Sequence, residues 1–286
     1  MPGESPKKSF AVITDSTADI APEMARALGI TVVPLNVTIG DESYSDGVLT
    51  QHEFFDRMNS ASSLPTTSQP AIGTFVDAYT RALETCEHVV SVHISERLSG
   101  TIESARAAAE QFAGKVHVFD SRNLSWGLAW QVLDAASAAR EGLGPDDALL
   151  RLTSLRDHVR IIVGLDSLDN LAKGGRIGRV GAFLGGVLNF KVTLTVDPNG
   201  EFQPVGRSRG DKAAFTHTLD WIAEKMDGAT AGRFAVGHAL GLERAEAFAA
   251  ALRERFDVSE LVIYETGSVI STHTGTGWGI AVVPEP

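Results

Sequence analysis

"HVVSVHISERLSGTIESARAAAEQFAGKVHVFDS", residues 88–121, places two β-branched apolar runs on either side of a segment with helical spacing. The runs at 88–95 and 115–121 read as short strands. Between them Ile102, Ala105, Ala109 and Phe112 recur at spacings of three, four and three, which is one face of a helix. The same alternation extends towards the N-terminus. "FAVITD" (10–15) and "TVVPLNVTI" (31–39) each read as a strand, and "PEMARAL", "QHEFFDRM" and "GTFVDAYTRAL" read as helices. Strand–helix alternation of this kind predicts an α/β fold with a mostly parallel sheet covered by helices.

Beyond about residue 155 the pattern changes. "KVTLTVDPNGEFQPVGRSR" is two strand-like runs joined by Pro198-Asn199-Gly200, a hairpin signal. Two further strand runs, "RFAVGHAL" and "ELVIYE", flank the helix-like "GLERAEAFAAALRERF". We therefore expect an N-terminal parallel-sheet domain over residues 8–155 and a C-terminal α+β domain over 156–283.

Bulk properties narrow the function. The chain has 286 residues, 43% of them hydrophobic and 21% charged, enough for two cores. A formal net charge of −11 opposes non-specific nucleic-acid binding, which needs a basic face. No apolar run approaches the ~20 residues of a membrane span. The N-terminal "MPGESPKKSF" lacks the apolar stretch of a secretory signal and reads as a frayed end, so a cytoplasmic location is expected. Cys86 is the single cysteine, which excludes an internal disulfide and argues against structural zinc; no metal or cofactor is expected. Asn36-Val37-Thr38 is a formal sequon without the secretory context that would use it.

Four polar stretches are candidates for chemistry. "RLSGTIESA" (97–105) sets Ser99, Gly100 and Thr101 at a helix start, where open N–H groups and the helix dipole suit an anion; a helix cap is the plainer alternative. "LPTTSQPAIGTF" (64–75) repeats the theme with Thr66, Thr67 and Ser68 before Pro70, at what reads as a strand-free helix entry. "STHTGTGWGI" (271–280) supplies His273 among alternating glycines, read as a loop with exposed N–H groups. "LAKGGRIGRVG" (171–181) is a basic island holding Lys173, Arg176 and Arg179, either a solvated face or a docking patch for an anionic partner or a ligand head group. "TDSTADI" (14–20) is explained by capping alone.

Two lookalikes compete. "GRSRG" (206–210) matches the G-x-S-x-G nucleophile elbow and makes Ser208 a candidate esterase nucleophile, although the run before it contains Pro204 and leaves a hairpin. Cys86 with His88 resembles a thiol pair, but a helix end entering a strand favours a buried structural cysteine.

In combination these stretches resemble the DegV family of bacterial fatty-acid-binding proteins. The matching segments are "TDSTADI", "LPTTSQPAIGTF", "HISERLSGTIESA", "FDSRNLSWG", "LDSLDNLAKGGRIG", "LNFKVTLTVDPNGEFQPVGRSRG" and "STHTGTGWGI", spread from about residue 10 to 283. The resemblance implies two α/β domains with a long-chain acid such as hexadecanoate between them, its chain in an apolar tunnel. It implies a carboxylate held by Thr67 and Ser99, with Ser68, Gly100, Thr101 and His273 around the head group. It further implies a protein without a complete active site, presenting the acid to a partner ATP-binding kinase subunit that forms an acyl phosphate. Lys173, Arg176 and Arg179 would then dock that kinase. A grip made of hydroxyls and N–H groups, with no full opposing charge, would leave an oxygen free for phosphoryl transfer. Where the family has Pro-Gly-Ala, this chain has Thr276-Gly277-Trp278, so Trp278 is expected to narrow the loop or alter the partner surface. The competing readings are the Ser208 esterase and a sensor of small anions.

Overall fold

Thirteen strands and ten helices make up the described residues, 8–183 and 190–285, of the computed structural model; of the stretch 1–10 expected to be frayed, 1–7 lies outside them and Lys8–Phe10 instead begin a strand. In chain order the first half comprises β1 (Lys8–Asp15), α1 (Pro22–Leu28), β2 (Ile30–Val33), β3 (Asn36–Ile39), β4 (Glu42–Ser45), α2 (Gln51–Ser60), β5 (Thr66–Ser68), α3 (Ile72–Thr85), β6 (Cys86–His93), α4 (Thr101–Ala109), β7 (Val116–Asp120), α5 (Ser125–Arg140) and α6 (Pro145–Arg156). The second half comprises β8 (Arg160–Leu165), α7 (Asp169–Lys173), β9 (Phe190–Val196), β10 (Phe202–Arg209), α8 (Asp211–Lys225), β11 (Ala231–Ala239), α9 (Leu242–Arg255), β12 (Asp257–Glu265), α10 (Ser268–Thr274) and β13 (Gly277–Glu285).

The first sheet has the order β2-β1-β6-β7 and is parallel throughout, as the alternation predicts. The second has the order β10-β9-β8-β13-β11-β12 and is antiparallel except for the β11–β12 pair. The expected break at 155/156 falls at the end of α6, before the second sheet begins.

Strand alternation builds the layers. Phe10 and Val12 face the central core while Ile13 faces α3 and α4 on the outside. In β8, Ile161 and Val163 face inward and Ile162 outward; in β13, Ala281 and Val283 face inward and Ile280 and Val282 outward, towards α8 and α9. Between the sheets lies α5, which contacts β1, β6, β8 and β13 and buries both Trp126 and Trp130. A helix buried on both sides reads as a long apolar segment, and this one is nearly apolar all round.

One expectation is corrected. "TVVPLNVTI" is two strands in two sheets. Pro34 has no N–H to give a ladder, and Leu35 donates its N–H to Ser16 Oγ at 3.1 Å instead. After this break β3 pairs antiparallel with β4 and β5 in a small third sheet, packed through Leu35 and Val37 onto Phe54, Ala239 and Val269. "TTS" therefore lies in a strand, and Pro70 precedes the N-cap Ala71, so the three hydroxyls do not cap α3.

Candidate functional site

The order of the parallel sheet reverses between β1 and β6, and ligand sites in open α/β sheets form beyond the carboxyl ends of strands at such a point. Thr17, after β1, and Ile94, Leu98 and Ser99, after β6, line one cavity of about 440 Å3. Thr67 of β5, Arg176 after α7 and His273 of α10 complete its polar wall.

Gln69 brings the two hydroxyl segments together. Its amide donates to Ser104 Oγ at 3.1 Å, and the side chain lies so close to Gly100 that a Cβ there would overlap it. Thr67 Oγ1 and His273 Nε2 are 2.8 Å apart, while Ser99 Oγ and Thr101 Oγ1 are also 2.8 Å apart. Each cavity hydroxyl is thus backed by a second polar group. Ser99 Oγ also accepts from the Thr101 N–H, but the N-cap of α4 is Gly100, without a side-chain cap hydrogen bond, so Ser99 is not the helix cap. Burial lowers the His273 pKa to about 4, with the nearby Arg176 charge adding to it, so the ring is neutral at pH 7. Its Nδ1 is buried without a partner among the described residues and abuts Gly174.

Leu124, Ile270 and Thr274 line this cavity and also a second one of about 390 Å3. The second is walled by Ile161, Val163 and Leu165 of β8 and by the inward face of β13. The polar cavity also shares Leu98, Ser99, Arg176 and Phe202 with an outer groove of about 970 Å3, whose other lining includes Glu96, Arg97, Arg179 and Glu201.

Several expectations need correction. Ser68 is exposed and, by strand alternation, points away from the Thr67 side; it is not on the cavity wall. Thr101 is fully buried and supports Ser99 from behind, and Gly100 lines the outer groove. His273 sits in the last turn of α10, not in a loop, and Gly277 and Gly279 lie in β13, whose ladder pairs it with β8 and β11. Trp278 faces away from the polar cavity: its ring packs on Gly164, Phe248 and Arg244 in the outer layer, so it does not narrow the head of the site.

The basic island divides. Lys173 is exposed and lines none of these cavities. Arg179 pairs with Asp197 and, at 3.3 Å, with Glu201 of the hairpin. Arg176 donates to the carbonyls of Leu98 and Gly174 and reaches the cavity wall, so a full positive charge does stand beside the hydroxyls. Ser208 lies inside the antiparallel strand β10, paired with Lys191, and Gly210 precedes α8; a nucleophile elbow needs the serine on the turn itself. Cys86 is buried at the start of β6, and His88 is directed to His117 at 3.2 Å.

A buried chain missed in the sequence anchors the floor. Asp15 Oδ2 lies 2.9 Å from His93 Nδ1, His93 Nε2 lies 2.7 Å from Ser91 Oγ, and Ser91 Oγ lies 3.0 Å from Tyr79 Oη. The set has the residue types of a hydrolytic triad, but Ser91 is wholly buried and lines none of these cavities. Its work is structural: Asp15 also accepts from the N–H groups of Thr17 and Ile94, fixing both cavity loops. The signal was the Asp15-Ser16-Thr17 turn, which capping alone seemed to explain.

Comparison with known proteins gives consistent relationships. A family model described as "Uncharacterised protein, DegV family" matches residues 9–285. A "DegV domain-containing protein" of Deinococcus radiodurans is 36% identical over 279 residues, covering 97% of this chain and 99% of the relative. A DegV family protein from Thermus thermophilus, solved as a fatty-acid-binding protein, superposes with a TM-score of 0.92 at 35% identity, covering 97% and 100% of the two chains. DegV of Bacillus subtilis, also described as a fatty-acid-binding protein, gives 0.88 at 32% identity with the same coverage. Among the described residues no helix is long and apolar enough to cross a membrane, and no cluster of three or more His, Cys, Asp or Glu side chains is placed to hold a metal.

Proposed function

Since this chain belongs to the DegV family, we propose that it binds a long-chain fatty acid and presents the carboxylate, through the outer groove, to a partner ATP-dependent kinase that forms the acyl phosphate. The observation that carries the reading is a cavity that sets Thr67, Ser99, Arg176 and His273 in an otherwise mostly apolar lining and shares the wall residues Leu124, Ile270 and Thr274 with a second, apolar cavity. One end suits a carboxylate and the other suits methylenes.

The forces divide accordingly. Each buried methylene contributes about 0.8 kcal/mol, so a long chain supplies roughly 10 kcal/mol gross before association costs. A hydroxyl hydrogen bond to the head group adds about 1–3 kcal/mol. The tail supplies affinity; the polar groups fix depth and orientation.

Each hydroxyl has one proton to give. For Thr67 to donate it to the carboxylate, the neutral His273 ring must carry its proton on Nε2 and donate to Thr67 Oγ1. Ser99 is free to donate in the same way when Thr101 donates to it. Arg176 adds charge at the groove side, where the phosphoryl donor would enter. Within this reading the chain binds and orients, and the bond-making groups come from the partner.

Mass spectrometry of organic extracts from purified, undelipidated protein tests the binding step. A stoichiometric long-chain acid is the expected result; an empty protein that also fails to take up added acid would sink the reading. Serine-reactive fluorophosphonate should leave Ser208 unlabelled.

A further inference from the structure

The apolar cavity ends at a wall. Tyr264 and Thr266 line it on one side and line a separate cleft of about 1660 Å3 on the other, a cleft that also holds Asp19 and Asp46. Tyr264 is clamped. Its ring lies against Gly237, where a Cβ would overlap it, and is tilted over Trp126 with centroids 5.5 Å apart. Its hydroxyl is 2.8 Å from Ser125 Oγ, and Ser125 Oγ donates to Asp19 Oδ2 at 2.5 Å. Asp19 in turn accepts the Gly267 N–H at 2.9 Å, and its carbonyl accepts Trp126 Nε1–H at 3.2 Å.

Asp19 and Ser125 both hold positive φ, 53° and 49°, a costly conformation for residues with a Cβ. The wall is thus a braced partition between an apolar chamber and a cleft bearing carboxyl groups. Burial, with the neighbouring Asp46 and Asp15 charges adding to it, pushes the Asp19 carboxyl up to about 8, so it carries a proton at neutral pH and the partition is uncharged there.

We propose that Tyr264, held by Ser125 and Asp19, is the stop that sets the longest acyl chain this protein accepts. The inference rests on the fatty-acid reading above and adds the residue that decides specificity. A methyl terminus reaching the phenol has no further room in the chamber; the cleft behind the ring, lined by Met24, Val32, Phe54 and Val262 among others, is closed to it while the ring stands. Removing the ring joins the chamber to the cleft, whereas Tyr264→Phe keeps the wall.

The test is a binding series of saturated acids from 14 to 22 carbons with native protein, Tyr264→Phe and Tyr264→Ala. In native protein and Tyr264→Phe, affinity should stop rising at the same chain length. In Tyr264→Ala that break should move to longer acids, with roughly a tenfold gain for each two methylenes past the old limit. An unmoved break in Tyr264→Ala overturns the proposal while leaving the fatty-acid reading intact. Should Tyr264→Ala not fold, the native protein answers: an acid of limiting length with a diazirine at its methyl end should label residues 124–127 or 262–266. Label confined to other segments overturns the stop. No uptake of any acid by native protein overturns both readings.

Discussion

Thr67 Oγ1 and His273 Nε2 lie 2.8 Å apart although 206 residues separate them in sequence, joining the small third sheet to the helix that precedes the last strand of the second sheet. The bond makes the head of the cavity a product of long-range folding. Its hydroxyl is poised to donate only while the imidazole stands behind it.

The first prediction follows from the division of forces. Thr67→Ala combined with Ser99→Ala removes two hydrogen bonds and none of the apolar wall. Affinity for a long-chain acid should fall by about 30-fold or more, not vanish, because the tail carries most of the free energy. Acyl phosphate formation with the partner kinase should be lost. Mass spectrometry of retained lipid and a coupled phosphorylation assay read the two effects separately; unchanged turnover in the double variant would refute the head-group assignment.

His273 gives a pH dependence of definite sign. Its folded pKa of about 4 lies below the ordinary value of 6.5, so between these values the unfolded chain binds a proton that the folded one does not. Folding stability therefore decreases as pH falls from 6.5 towards 4 and loses nothing more from this group below that. In His273→Gln, whose amide can still donate to Thr67, that portion of the decline should disappear. Melting temperatures of the two proteins across pH 4–7.5 should converge at the acid end; parallel curves would show that the ring is not held neutral.

Local patterns were legible and long-range convergence was not. The run at 88–121 revealed β6, α4 and β7 because period-2 and period-3.6 spacing are local properties. Pro34 was visible, yet the split of residues 31–39 into two sheets depends on Ser16 Oγ receiving the Leu35 N–H, a partner far away in sequence. Thr67, Ser99 and His273 stood out in their polar stretches, the family resemblance gave them a common head group, and the structure brings them to one cavity. The basic island at Lys173, Arg176 and Arg179 offered a ligand's head group as one of its readings, but the spacing did not say which cation would reach it; only the fold shows that the Arg176 guanidinium turns to Leu98 and the cavity. The glycines at 277 and 279 looked like an open loop, since nothing local marks them as a central strand. Ser125, Tyr264 and Asp19 carry no shared spacing at all.

The basic island predicts a separation of effects. Lys173→Glu reverses an exposed charge away from the cavity, so phosphorylation by the kinase should fall at least tenfold with lipid content unchanged. Arg176→Glu sets a carboxylate beside the ligand's own and should lower both lipid content and phosphorylation. Arg179→Glu faces Asp197 and Glu201 and should lower the melting temperature before it affects binding. If Lys173→Glu phosphorylates normally, the docking face lies elsewhere.

Adjacent glycines supply the last prediction. Gly174 has ordinary right-handed geometry, so an alanine suits its backbone, but the new Cβ would run into the His273 ring at Nδ1, with the Asn170 carbonyl oxygen 3.0 Å away on another side. The ring has little freedom to retreat, because Nε2 is engaged by Thr67 and Nδ1 is buried. Gly174→Ala should thus displace His273, break the Thr67 bond and lower acyl phosphate formation to the extent that His273→Ala should. Gly175 is the reverse case: its φ of +73° disfavours alanine, yet nothing lies within 4 Å of a Cβ there. Gly175→Ala should cost about 1 kcal/mol of stability and leave turnover unchanged. Comparing the pair in one kinase-coupled assay, alongside their melting temperatures, distinguishes damage to the imidazole's seat from general weakening of the segment. Equal activity losses in both variants would mean that the loop, rather than the placement of His273, limits the reaction.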